Sequence, residues 1–235
     1  MSADGSLLFA RYAYPPNELG YCGPDGAETL LDPDAPAEIA RRARRFEGAW
    51  SYLEFIAYAA GIPDPLDAAV VEAYWVGNDL LDAVDSAALV RRLGDRFRGQ
   101  PGGTWRSAGD RAVAHHSFQV FEVYPWASML ARKESPVAVS VLDRCRIRCG
   151  TVVDVEGEKA TVRSSALVLR DGKLETGPAA DEIVSWSAGG RSQLPGLSPG
   201  DRVTLHWDWV CDVVTEAQSA RVEAFNARQL DRVGG

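Results

Sequence analysis

At 235 residues the chain is long enough for one large domain or two small ones, and a chain of this size buries roughly 70% of its unfolded surface. A formal charge of −8, from 33 acidic and 25 basic side chains, argues against general nucleic-acid binding. No window reaches the roughly 20 apolar residues of a membrane span, and no basic N-terminal segment precedes an apolar run, so a cytoplasmic protein is expected. Four cysteines in that setting read as thiols or ligands and not as a disulfide framework, and three histidines are few enough to weigh singly.

The first 36 residues are irregular in pattern. L-L-F-A-R-Y-A-Y suits a short strand or a helical turn, and Pro15-Pro16 is expected to end it. The loop that follows sets Cys22 among glycines at 20, 23 and 26. Asp34 is expected to cap a helix running to about Ala60, whose basic run at 41–45 reads as a solvated face. Its second half carries an apolar stripe of Phe46, Trp50, Leu53 and Ile56. Two more helices are predicted, over 65–76 and from Asp85 or Ser86 to about Phe97.

After a polar loop at 99–110 comes A-V-A-H-H-S-F-Q-V-F-E-V-Y-P-W. His115 and His116 point about 100° apart on a helix, so at most one readily faces a given site. Residues 133–140 read as a linker, which makes 1–135 a mainly helical unit. The period then changes to two. Alternating runs after Cys145 are separated by E-G-E and D-G turns, and D-R-V-T-L-H-W-D-W-V-C forms a further strand. Thr215 is expected to cap a last helix ending near Leu230. The fold class is therefore α+β: a helical unit, then over 142–235 a small OB-like β-barrel with a C-terminal helix.

Cys145, Cys149 and His206 form a set of soft donors suited to iron, zinc or copper. Residues four apart on a strand share a face, so both cysteines would point the same way. Asp143 and Asp208 would orient a histidine. The bland alternative makes all three ordinary barrel residues.

Two stretches carry a resemblance. C-R-I-R-C-G-T-V-V-D-V and P-G-D-R-V-T-L-H-W-D-W-V-C-D together resemble the hydrogenase assembly chaperone family (HypC/HupF), over about residues 142–232. The resemblance implies a carrier of an iron–cyanide–carbonyl fragment that works with a maturation scaffold protein and the hydrogenase large subunit. It implies Cys145 as the iron or partner thiolate and His206 as an accessory ligand. The chain departs from that family in four ways: Cys145 is internal, Cys149 stands where proline is usual, the insert at 171–182 is long, and Trp207 and Trp209 follow the histidine where small, apolar residues are expected. The whole chain also resembles an uncharacterised actinobacterial family.

Two other functions compete with the carrier. One is a metal- or thiol-dependent enzyme with its site between the helical unit and the barrel, built from Cys145 and His206 with Cys149, Cys22, His115 or His116. The other is a protein-binding scaffold without metal, with Trp186, Trp207 and Trp209 as anchors, although the same tryptophans serve equally to pack the helical unit onto the barrel.

Overall fold

The computed structural model describes residues 3–99, 103–130 and 135–231. Helix α1 (Ala3–Glu18) contains Pro15 and Pro16 instead of stopping before them. Each proline lacks an N–H, so the carbonyls of Arg11 and Tyr12, four residues earlier, lose their helical donors. The expected helix over 34–60 is two, α2 (Pro36–Ala43) and α3 (Glu47–Ala60). The break falls where Phe46 leaves the helical region to pack edge-on against Phe9, with ring centroids 5.2 Å apart. Asp34 caps nothing; the residue before α2 is Ala35, which makes no side-chain cap. By contrast, Asp67 caps α4 (Ala68–Trp75) and Asp85 caps α5 (Ser86–Arg96).

A short helix α6 (His116–Phe118) runs into one π-helical turn, Gln119–Val123, followed by α7 (Trp126–Leu130). Of the expected linker, residues 133 and 134 lie outside the described residues. The remainder forms α8 (Pro136–Cys145), with Ser135 as cap and Pro136 in its first turn. Cys145 thus ends a helix and does not begin a strand.

Among the described residues five strands follow: β1 (Arg148–Glu156), β2 (Lys159–Arg170), β3 (Lys173–Ser185), β4 (Arg202–His206) and β5 (Trp209–Val213). Their pairings run in the order β1-β2-β3-β5-β4, and β4 returns to β1. The expectation of a regular OB-like barrel needs correcting. β3 meets β5 at a single parallel pair, Ser185 and Trp209, so that seam has almost no ladder. The insert at 171–182 supplies the D-G turn and most of β3. It belongs to a long hairpin in which Asp171 and Gly172, both at positive φ, turn the chain. The hairpin's outer half runs past β1 and lays Leu167 and Leu174 against Leu142 and Trp207. The class is mixed α/β, helices around one five-stranded sheet.

Helix α9 (Glu216–Leu230) starts at the Thr215–Gln218 capping box and closes the molecule. One buried cluster joins the helices to the sheet, from Phe9, Tyr12, Tyr74 and Trp75 to Ile147, Trp209, Cys211 and Val222. Two of the three candidate anchor tryptophans serve this seam, Trp209 packing on Tyr14 and Trp207 stacking on Tyr21, at 4.7 and 4.1 Å, whereas Trp186 packs against the sheet's own cluster and donates to the Gly157 carbonyl. No helix of the described residues is long and apolar enough to cross a membrane.

Arg148 anchors the sheet to the turn between β4 and β5. Its buried guanidinium bonds Glu182 at 2.8 Å and donates to the Trp207 carbonyl at 2.9 Å. Burial works to raise the Glu182 carboxyl, but the bonds and charge of Arg148 outweigh it and hold that carboxyl below its usual range. Glu182→Ala strands the Arg148 charge and should cost about 3 kcal/mol in urea denaturation at neutral pH. A loss under about 1 kcal/mol would show the pair to be incidental.

Candidate metal centre

His116, Cys145 and His206 each offer a ligand atom, and these atoms all lie within 4.8 Å of one another. The three come from α6, the end of α8 and the end of β4, so the cluster sits between the helical unit and the sheet. Both histidines are buried, and Cys145 is 9% exposed.

Backbone groups set the tautomers. The His206 Nδ1–H donates to the Tyr12 carbonyl at 2.7 Å. That carbonyl is free to accept because Pro16 offers it no N–H. The other nitrogen, Nε2, therefore carries a lone pair, and it is buried and makes no hydrogen bond of normal geometry, although the Cys145 carbonyl lies near enough to act on the ring. The His116 Nε2–H donates to the Cys145 carbonyl at 2.8 Å, which leaves Nδ1 to accept from the Tyr74 hydroxyl at 3.1 Å. Each imidazole thus gives one proton to a backbone oxygen and keeps one lone pair, the arrangement that orients histidine ligands around metals. An ion on His116 Nδ1 requires the Tyr74 hydroxyl to turn away.

The turn after β4 holds Cys145 to His206. Trp207 sits at φ 54°, a left-handed conformation that costs a non-glycine residue about 1–2 kcal/mol. In that conformation its N–H reaches the Arg144 carbonyl at 2.6 Å, and Asp208 pairs with the Arg144 side chain at 2.7 Å. The carbonyls of Arg144 and Cys145 belong to the last turn of α8, where no helical donor remains.

All three residues line a cavity of about 270 Å³, with Cys22, Tyr74, Trp75, Tyr124 and Trp207 among its other walls. Cys22 faces the same cavity but stands outside the cluster, and burial pushes its thiol up to about 12. Burial, then the neighbouring Cys22, pushes the Cys145 thiol up as well. His116 is lowered by burial to about 4, and His206 well below its usual range by burial and then by His116. Without an ion the three groups are neutral.

The remaining sequence candidates go elsewhere. His115 is a cap: its Nδ1 accepts from the Ser117 N–H at 3.1 Å, and its ring stacks on Phe225 at 4.1 Å. Burial, then His116, lowers it to about 3. Cys149, on β1, points at α9 and contacts the Ser219 carbonyl at 3.8 Å; burial pushes it up to about 11. Cys145 and Cys149 do not share a strand face, because only Cys149 is on a strand. Asp143 binds Arg146 and the Leu167 N–H, and Asp208 binds Arg144, so neither orients a histidine. Sequence reasoning missed Tyr74 and the Tyr12 carbonyl. The available signal for the second was a proline four residues after an apolar helical position.

The chain belongs to the family described as "Family of unknown function (DUF6390)", whose model matches residues 1–235. No curated protein and no solved structure matches it. The family match does not bear on hydrogenase maturation, and Cys145, the thiol that a carrier would present to its partners, is buried beneath the helical unit.

Three buried neutral histidines make stability depend on pH. Their folded pKa values lie below the unfolded value of about 6.5, so the unfolded chain binds more protons once pH drops under it. Stability is complete above 6.5 and is lost as pH falls, by up to about 1.4 kcal/mol per pH unit for each histidine. In chelator, urea denaturation between pH 6.5 and 5 should show this slope. His115→Asn, which keeps a cap acceptor, should flatten it by roughly a third. An unchanged slope would mean that His115 takes up its proton in the folded state.

Proposed function

We propose that this family member is a metal-dependent enzyme whose ion is held by His116, Cys145 and His206, between the helical unit and the sheet. The observation that carries this reading is the convergence of the three donors, with the His206 Nε2 lone pair buried and making no hydrogen bond of normal geometry. Two imidazoles and a thiolate suit zinc, iron or copper and not magnesium or calcium. Ligand atoms about 3.5 Å apart are needed around a tetrahedral zinc ion. The widest pair here must close by roughly 1 Å, within reach of a side-chain rotation. Three protein ligands leave one position open, and all three line the cavity, so a substrate there meets the ion as a Lewis acid.

A thiol nucleophile fits less well. A nucleophilic cysteine needs a lowered pKa and a base ready to take its proton. Cys145 is instead raised, and both imidazoles are held neutral by burial. A divalent cation reverses both penalties, because it favours thiolate and binds neutral imidazole.

Cobalt(II) reports on this assignment. Wild-type protein should take up the ion stoichiometrically and show thiolate-to-cobalt charge-transfer absorption. Cys145→Ser should abolish that absorption, and His115→Asn should leave it intact. Pro16→Ala returns an N–H that competes for the Tyr12 carbonyl, and should weaken cobalt affinity by about tenfold while the fold persists. Wild-type protein with no cobalt absorption would sink the proposal.

A further inference from the structure

Resting on that metal site, we propose that the adjoining cavity binds a small uncharged hydroxy-aromatic molecule of the phenol class, its oxygen on the ion. Size is the first argument. A cavity of 150 Å³ takes benzene, so about 270 Å³ holds one ring with a short substituent. Shape and surface agree. Phe46, Tyr74, Trp75, Tyr124, Trp126 and Trp207 supply aromatic walls, and ring-on-ring contacts add to simple burial.

Charge narrows the class further. No Asp, Glu, Lys or Arg lines the cavity among the described residues. A cationic or anionic substituent would be stripped of water there without a partner. The ion itself is different. A divalent metal with one thiolate and two neutral imidazoles keeps one net positive charge, which a single phenolate neutralises. On binding, the phenol O–H bond breaks, its proton leaves to solvent, and the oxygen keeps the electron pair that it shares with the metal.

The far wall is also built for a ligand. Gly48 occupies the first turn of α3, where alanine would favour the helix by up to about 1 kcal/mol. A Cβ there would lie 3.4 Å from the Tyr124 hydroxyl and 3.7 Å from Gln119 Nε2. Of the two, only Tyr124 lines the cavity, so the glycine leaves the Tyr124 hydroxyl uncovered. A ring substituent with an acceptor oxygen has that hydroxyl to meet it.

The test is a titration of cobalt-loaded protein with phenol, cyclohexanol and benzylamine. Phenol should shift the cobalt d–d bands saturably. Cyclohexanol lacks the flat ring and acidic O–H, and benzylammonium is charged; each should bind at least about tenfold more weakly. Gly48→Ala puts a methyl beside the Tyr124 hydroxyl, so the cobalt spectrum and phenol binding should persist, while 4-hydroxybenzaldehyde, whose carbonyl is an acceptor for that wall, should bind about tenfold more weakly than to the wild type. A normal cobalt spectrum with phenol no better than cyclohexanol overturns the substrate class and leaves the metal site standing. So does a Gly48→Ala protein that binds 4-hydroxybenzaldehyde as the wild type does. Absence of the cobalt spectrum overturns the metal reading, and this inference with it.

Discussion

The candidate site depends on backbone carbonyls that have lost their helical donors. Pro16 removes the donor for Tyr12, and the end of α8 leaves Arg144 and Cys145 without one. A buried carbonyl must find another partner. Tyr12 finds His206, Cys145 finds His116, and Arg144 finds the Trp207 N–H. Satisfying those three oxygens brings an imidazole from the helices and an imidazole from the sheet to one thiol, and it fixes which nitrogen of each ring keeps its lone pair.

Those bonds could not hold alone, because each is a single contact between elements far apart in sequence. The core supplies the rigidity. Tyr12 stacks nearly parallel on Trp75 at 5.3 Å and bonds Thr204 on β4 through its hydroxyl at 3.0 Å. Trp75 in turn packs against both His116 and His206. Arg11, the other residue whose carbonyl a proline frees, pairs with Asp212 on β5 at 2.6 Å. Helix α1 is thus fastened to β4 and β5 through adjacent residues just before its prolines, and the surrounding core holds the strained Trp207 conformation in place.

The sequence made much of this legible and hid the rest for physical reasons. Strand alternation, the E-G-E and D-G turns, and the Thr215 cap are local signals, and the corresponding elements form where they predict. Cys145 and His206 stood out because soft donors are scarce in this chain. The rule that adjacent histidines diverge also holds in effect: His116 faces the cluster, and His115 faces Phe225. Helix α8 escapes the sequence reading although Ser135-Pro136 is a helix start, because a short apolar run before a strand reads as a linker. That reading places Cys145 on a strand and pairs it with Cys149. The meeting of residues 116, 145 and 206 depends on the tertiary seam, and no local pattern encodes it.

The end of α8 also bears on what chemistry the cluster supports. A helix C-terminus carries partial negative charge, which disfavours a nearby anion and favours a cation. Cys145 sits at that end, within a wall that has no charged side chain among the described residues. A free thiolate there would meet the helix end and lack a charged side chain to balance it. The same location is favourable for a thiolate bound to a divalent ion, since the ion answers the helix end and the sulfur together. Catalytic cysteines tend to occupy the opposite end of a helix, where the dipole lowers their pKa. The position of Cys145 therefore supports the metal reading on grounds separate from the clustering of the donors, and it depends only on where α8 stops.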